Sequence, residues 1–162
     1  MRQSRERRWM FLLAALFFAL LLTGCGAKNI QAQAGEPVHT ALFDFTLSDP
    51  ETLDAYTRVQ VPEGNKLIRL WLEVKNTSDQ TYTMFAEDFQ IQWGAEDDAF
   101  GTCLEAVDST MIPYSYKLAP GKSYRGAMLV AVPQDCAVLT VAYEELGTNG
   151  KRVAAYFLEV PL

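Results

Sequence analysis

The chain offers little for catalysis or metal binding. Its one histidine is His39, so multi-histidine zinc sites and histidine–methionine copper sites lack their ligands. A Ser-His-Asp triad would have to use that residue at the edge of a domain. Carboxylates are plentiful, 20 in all, which makes a paired acid and base the next chemistry to look for. Glu144 and Glu145 adjoin near a strand end, where successive side chains point to opposite faces, so they suit a solvated edge better than a catalytic pair. Glu87, Asp88, Glu96, Asp97 and Asp98 could gather oxygen ligands for calcium, but the spaced Asp-x-Asp pattern with glycine is missing and a solvent-facing acidic turn is expected. No glycine-rich phosphate loop is present. The sequence therefore predicts no catalytic residue, no metal site and no cofactor. Contact chemistry remains. Trp71 lies on the face of its strand opposite the apolar row, and Ile112, Tyr114 and Tyr116 fall in the longest irregular stretch. Loops on a rigid scaffold commonly carry recognition, so these four are the candidate partner contacts. The competing reading is that they cover the open end of the domain, or that Trp71 packs beneath another segment.

Cysteine is the residue type with a legible reaction. Arg2, Arg5, Arg7 and Arg8 precede Trp9–Leu22, a run of 14 apolar residues, in the order of a signal peptide's basic and hydrophobic regions. That run is shorter than the roughly 20 residues a membrane-crossing helix needs. It ends at Leu22-Thr23-Gly24-Cys25, which resembles the lipobox of bacterial lipoproteins. Small side chains at Thr23 and Gly24 let extended backbone enter a peptidase, and the Cys25 thiol accepts a diacylglycerol. Cleavage between Gly24 and Cys25 and lipidation of Cys25 are expected. One myristoyl-sized chain gives only marginal anchorage, so durable attachment takes two or three acyl chains on that cysteine. Cys103 and Cys136 remain, an even pair in a chain exported from the reducing cytosol. They form a disulfide, worth about 3.5 to 4 kcal/mol by the chain-entropy relation, or stay as buried thiols.

Charge and patterning set the scaffold. Removing residues 1–24 takes four of the 14 basic residues and one of the 20 acidic ones, leaving a net charge of −9. Such a surface repels phosphates, which argues against nucleic acid or electrostatic lipid binding. Three segments follow: a signal peptide at 1–24, a lipidated tether at 25–37 too polar and small to pack, and one folded domain at 38–162. From Val38 onward apolar residues recur with period two between Pro, Gly, Asn and Asp clusters, the pattern of half-buried strands. Strands are expected at Ala41–Leu47, Tyr56–Val61, Leu67–Val74, Tyr82–Trp93, Phe100–Leu104, Ser123–Val132, Val138–Tyr143 and Val153–Val160. In Leu67–Val74, Ile68, Leu70, Leu72 and Val74 face inward and Arg69, Trp71 and Glu73 outward. The fold class is all-β, an immunoglobulin-like two-sheet antiparallel sandwich preceded by a signal-peptide helix and the tether.

Three segments carry a likeness to a known group: Leu67–Ser78, Leu118–Gly126 and Val130–Pro133. With them the chain resembles a family of exported lipoproteins, mostly of Gram-positive bacteria, whose domain of unknown function has the immunoprotective extracellular fold. The resemblance spans about 38–160. It departs at Gly94-Ala95-Glu96-Asp97-Asp98, where the family often has an aspartate-glycine turn. It implies an extracytoplasmic sandwich and carries over no catalytic residue. The expected function is a non-enzymatic binding or interaction module held to the membrane by lipid, with an envelope or exported protein as partner. A structural or stress-related envelope lipoprotein is the alternative, and a carboxylate-dependent hydrolase a more distant one.

Overall fold

The structure is a computed structural model that describes residues 27–96, 99–147 and 149–162. The expected signal-peptide helix and the lipidation site Cys25 lie outside the described residues. The chain runs through twelve strands: β1 (Lys28–Gln33), β2 (Val38–His39), β3 (Phe43–Leu47), β4 (Glu51–Leu53), β5 (Asn65–Asn76), β6 (Tyr82–Phe85), β7 (Phe89–Gln92), β8 (Phe100–Gly101), β9 (Ser115–Leu118), β10 (Ser123–Pro133), β11 (Val138–Leu146) and β12 (Arg152–Pro161). A single 3-10 turn, Ala86–Asp88, separates β6 from β7. Sheet A has the order β1-β12-β11-β7-β8. Sheet B has β10-β5-β3-β2 with β4 also paired to β5, and β6 and β9 form a small third sheet. The expected two-sheet sandwich is what the chain forms.

Alternation builds the core. In sheet B the buried Ile68, Leu70, Leu72 and Val74 of β5 stand beside Met128 and Val130 of β10 and Phe45 and Leu47 of β3, and sheet A answers with Phe89, Ile91, Leu139, Val141, Leu158 and Val160. Burying one such side chain contributes about 1.5–3 kcal/mol, so the two inner faces supply the main driving force. Phe45 sits edge-on to Phe89, Tyr143 and Tyr156, locking the sheets together through aromatic contacts.

Several expectations are corrected. The tether begins the domain instead of preceding it: β1 pairs in parallel with β12, Lys28 opposite Ala154 through Gln33 opposite Glu159. The cause is a weak alternation, since Ile30, Ala32 and Ala34 pack on the core while the residues between them point away. This pair also makes the sandwich other than purely antiparallel. Tyr56–Val61 is not a strand; its Tyr56, Val59 and Val61 lie over the outside of sheet B, and the strand in that region is β4. Ala41 falls in the β2–β3 turn rather than in β3, and the strand expected over Phe100–Leu104 stops at Gly101. The expected Tyr82–Trp93 strand is split by the 3-10 turn, so that β6 joins the small sheet and β7 joins sheet A.

Candidate ligand-binding face

The two outer faces of the sandwich differ. Sheet B is covered by its own chain. Leu67, Met111, Ala127 and Leu129 make a second apolar cluster on its outside, roofed by Leu53, Tyr56, Val59, Val61, Leu104 and Val107. The roof is pinned where the Tyr56 hydroxyl donates to Asp108 Oδ2 at 2.8 Å and Thr110 donates its N–H and Oγ to Asp108 Oδ1 at 2.8 and 2.7 Å. These bonds hold the Asp108 carboxyl at about 2, below the usual carboxylate range.

Sheet A carries no such roof among the described residues. Its outward positions follow from register, because cross-strand partners share a face. Gln31, Phe157, Ala142 and Gln90 form one row, Gln33, Glu159, Thr140, Gln92 and Phe100 the next, and Asn29, Ala155 and Glu144 a third. Alanine at 142 and 155, between Phe157 and longer neighbours, leaves the face hollow. Two concavities of about 410 and 420 Å³ result, and they share Gln90, Ala142 and Phe157. Their sizes fall in the range of ligand pockets. Phe100, 57% exposed, walls one end beside Glu96, and Leu146 and Arg152 wall the other beside Glu87. Carboxamides dominate the rows, and each presents both donor and acceptor without charge. The Gln92 Nε2 donates to the Gly94 carbonyl at 2.8 Å, which fixes that side chain. Glu87, Glu96, Glu144 and Glu159 against Arg152 keep the face acidic.

The four expected contact residues are dispersed. Ile112 is buried in the core at 3% exposure. Tyr116 is half-buried, stacked on Tyr124 at 4.2 Å with its hydroxyl enclosed and unpaired, and burial pushes its pKa well up. Trp71 is half-buried against the outer cluster of sheet B, with the Arg125 guanidinium 4.4 Å and the Arg69 guanidinium 5.7 Å from its ring, so the chain itself occupies the ring face. Only Tyr114 is open, 65% exposed and edge-on to Phe85, beside a smaller hollow of about 340 Å³ lined by Cys103, Leu104 and Ile112.

The remaining candidates resolve as follows. Of the two alternatives for Cys103 and Cys136, the structure has free thiols, Cys103 half-buried and Cys136 buried. The Cys136 thiol instead donates to the Val138 carbonyl at 3.3 Å, and burial pushes the Cys103 thiol up, which disfavours the reactive thiolate. His39 contacts Asp44 at 2.7 Å on an exposed surface. Glu144 and Glu145 do diverge, but Glu145 is not the solvated residue expected. It is 4% exposed and accepts from the Ala41 N–H at 2.9 Å and the Tyr156 hydroxyl at 3.1 Å. Asp88 is likewise occupied, accepting the Phe85 N–H at 2.7 Å, with burial raising its pKa. Asp97 and Asp98 of the acidic turn lie outside the described residues. Sequence reasoning missed the sheet A face; the signal that could have found it was the polar-and-alanine half of β11 and β12, opposite their apolar half.

No family model and no curated protein sequence matches the chain. Among solved structures it is similar to a candidate lipoprotein of Bacillus subtilis, ycdA, with a TM-score of 0.62 and 12% identity over 77% of this chain. The match spans only 38% of that protein's chain. It is similar also to the yjhA protein of Bacillus subtilis (TM-score 0.59, 13% identity, 80% of this chain and 99% of the other). A third likeness is to MPT63, a secreted protein of Mycobacterium tuberculosis (TM-score 0.55, 13% identity, 81% and 98%). At these identities the likeness is one of fold. Exported β-sandwiches thus stand among its structural relatives, and no helix of the described residues is long and apolar enough to cross a membrane.

Proposed function

We propose that the chain is a lipid-anchored, extracytoplasmic binding module without enzymatic activity, and that the outer face of sheet A is its ligand surface. The observation that carries this is the asymmetry of the sandwich: among the described residues, loops roof one outer face and the other is hollow, with two aromatic rings and a set of carboxamides. Because the face is acidic, it disfavours anionic ligands. Because Gln90, Gln92 and Thr140 offer both donors and acceptors without charge between Phe157 and Phe100, that part of the face suits a hydroxyl-rich, uncharged ligand, with the two rings as apolar platforms. A neutral segment of envelope glycan has that chemistry. The fold similarity to a secreted protein and to a candidate lipoprotein supports the location, as does the Leu22–Cys25 motif.

Calorimetric titration of the mature domain with an N-acetylglucosamine pentasaccharide and with maltopentaose tests the reading. At least one should bind, and Phe157→Ala should weaken it about tenfold, the ~1.4 kcal/mol of one aromatic contact. Tyr114→Ala should leave binding unchanged. Loss with the Tyr114 variant but not the Phe157 variant would move the site to the irregular segment, and no heat with either sugar would refute the ligand class.

A further inference from the structure

We infer that the β11–β12 hairpin is a membrane-contacting edge that holds the domain upright on the bilayer surface. The inference rests on the proposed lipidation of Cys25. Only Gly26 and Ala27 separate Cys25 from β1, and three residues of fully extended chain reach about 10 Å. The domain is therefore held close to the bilayer, and the position of the N-terminal end of β1 decides which part of it meets lipid.

Register fixes that position. β1 runs parallel to β12 with Lys28 opposite Ala154, so the strand begins beside the start of β12, at the β11–β12 turn. β12 pairs with β11 through Glu145 opposite Ala154 and Leu146 opposite Arg152. The end of the sandwich nearest Cys25 is thus the one that carries Leu146, 53% exposed, and Val153, 45% exposed. Lys28, Lys151 and Arg152 are exposed at the same place. Open aliphatic side chains ringed by basic ones are the composition that seats protein in the headgroup boundary, and long basic side chains reach out to the phosphates. Glu87 and Glu144 stand behind them on the hollow face, so the attraction is confined to the hairpin edge. The opposite end of the same hairpin, with Val138 opposite Pro161 and Val138 46% exposed, is the length of β11 away from the anchor. With the hairpin down, the long direction of sheet A stands away from the membrane and its hollow face opens sideways to the envelope.

The test uses the full chain, matured and lipidated in the expressing cell and reconstituted into phosphatidylcholine–phosphatidylglycerol vesicles with brominated acyl chains. Leu146→Trp and Val138→Trp place matched reporters at the two ends, with the emission of the parent protein subtracted. The Leu146→Trp signal should be quenched by roughly half, since an interfacial depth of about 5–10 Å brings the ring near brominated carbons, and the Val138→Trp signal should not change. Equal quenching at both sites, or none at Leu146→Trp in a chain that sediments with vesicles, overturns the hairpin contact while leaving the anchor standing. A chain that fails to sediment with vesicles, and whose Cys25→Ala variant behaves identically, overturns the anchor and the inference with it.

Discussion

Glu145 shows how one residue ties the sandwich together. Its carboxylate accepts from the Ala41 N–H in the β2–β3 turn of sheet B and from the Tyr156 hydroxyl of sheet A, bridging the two layers at the end where β1 begins. Truncation leaves the buried Tyr156 hydroxyl without its acceptor and frees the partly buried Ala41 N–H, so Glu145→Ala should cost about 1–3 kcal/mol, read as a lower denaturant midpoint at unchanged slope. The aromatic core adds a pH signature. Burial first, and then the bond to Glu145, pushes Tyr156 up to about 12; burial also moves Tyr116 and Tyr143 upward. Each then holds its proton more tightly folded than unfolded. Their contribution to stability is complete below the unfolded tyrosine value near 10 and is lost as pH rises through the folded values. Ultraviolet titration of the seven tyrosines should show Tyr116, Tyr143 and Tyr156 ionising late and together with unfolding, and Tyr156→Phe should remove one of the late group.

At the scale of elements, β1 is the instructive case. Its apolar face consists of one isoleucine and two alanines, Ile30, Ala32 and Ala34, alternating with Asn29, Gln31 and Gln33, a pattern that composition alone reads as a tether. The strand forms because β12 offers an unpaired edge, a tertiary cause that no local window contains. A mature chain starting at Val38 should therefore melt at least about 5 °C below one starting at Lys28, by scanning calorimetry, because it loses six residues of ladder and the cover over Tyr156. The long strands were legible for two reasons: β5 and β11 alternate clearly, and β10 and β12 are apolar runs bounded by turn residues, Pro120-Gly121 before β10 and Gly150 before β12. Tyr56–Val61 misled for the converse reason: Tyr56, Val59 and Val61 are apolar in order to roof sheet B, without pairing their backbone. Asn76 is fully buried, its Nδ2 donating to the Gln80 and Leu118 carbonyls at 2.7 and 2.9 Å while its Oδ1 accepts from Ser78. The candidate site escaped the sequence because it consists of missing bulk, Ala142 and Ala155 beside Phe157, brought together by strands distant in the chain, whereas attention fell on aromatic residues in loops.

At the scale of the whole molecule, the two sheets divide the labour. Sheet B is sealed by loops clamped through Asp108 and by arginines over Trp71, which gives the domain a closed back. Among the described residues sheet A carries no such cover, and in the proposed reading it is the face that a ligand reaches. Amide nuclear magnetic resonance of the mature domain, titrated with the N-acetylglucosamine pentasaccharide, tests that division directly. Shifts should concentrate at Gln90, Thr140, Ala142 and Phe157 and spare Trp71 and Arg125. Shifts centred on sheet B or on the Tyr114 segment, or none at millimolar sugar, would contradict the assignment of the open face as the binding surface.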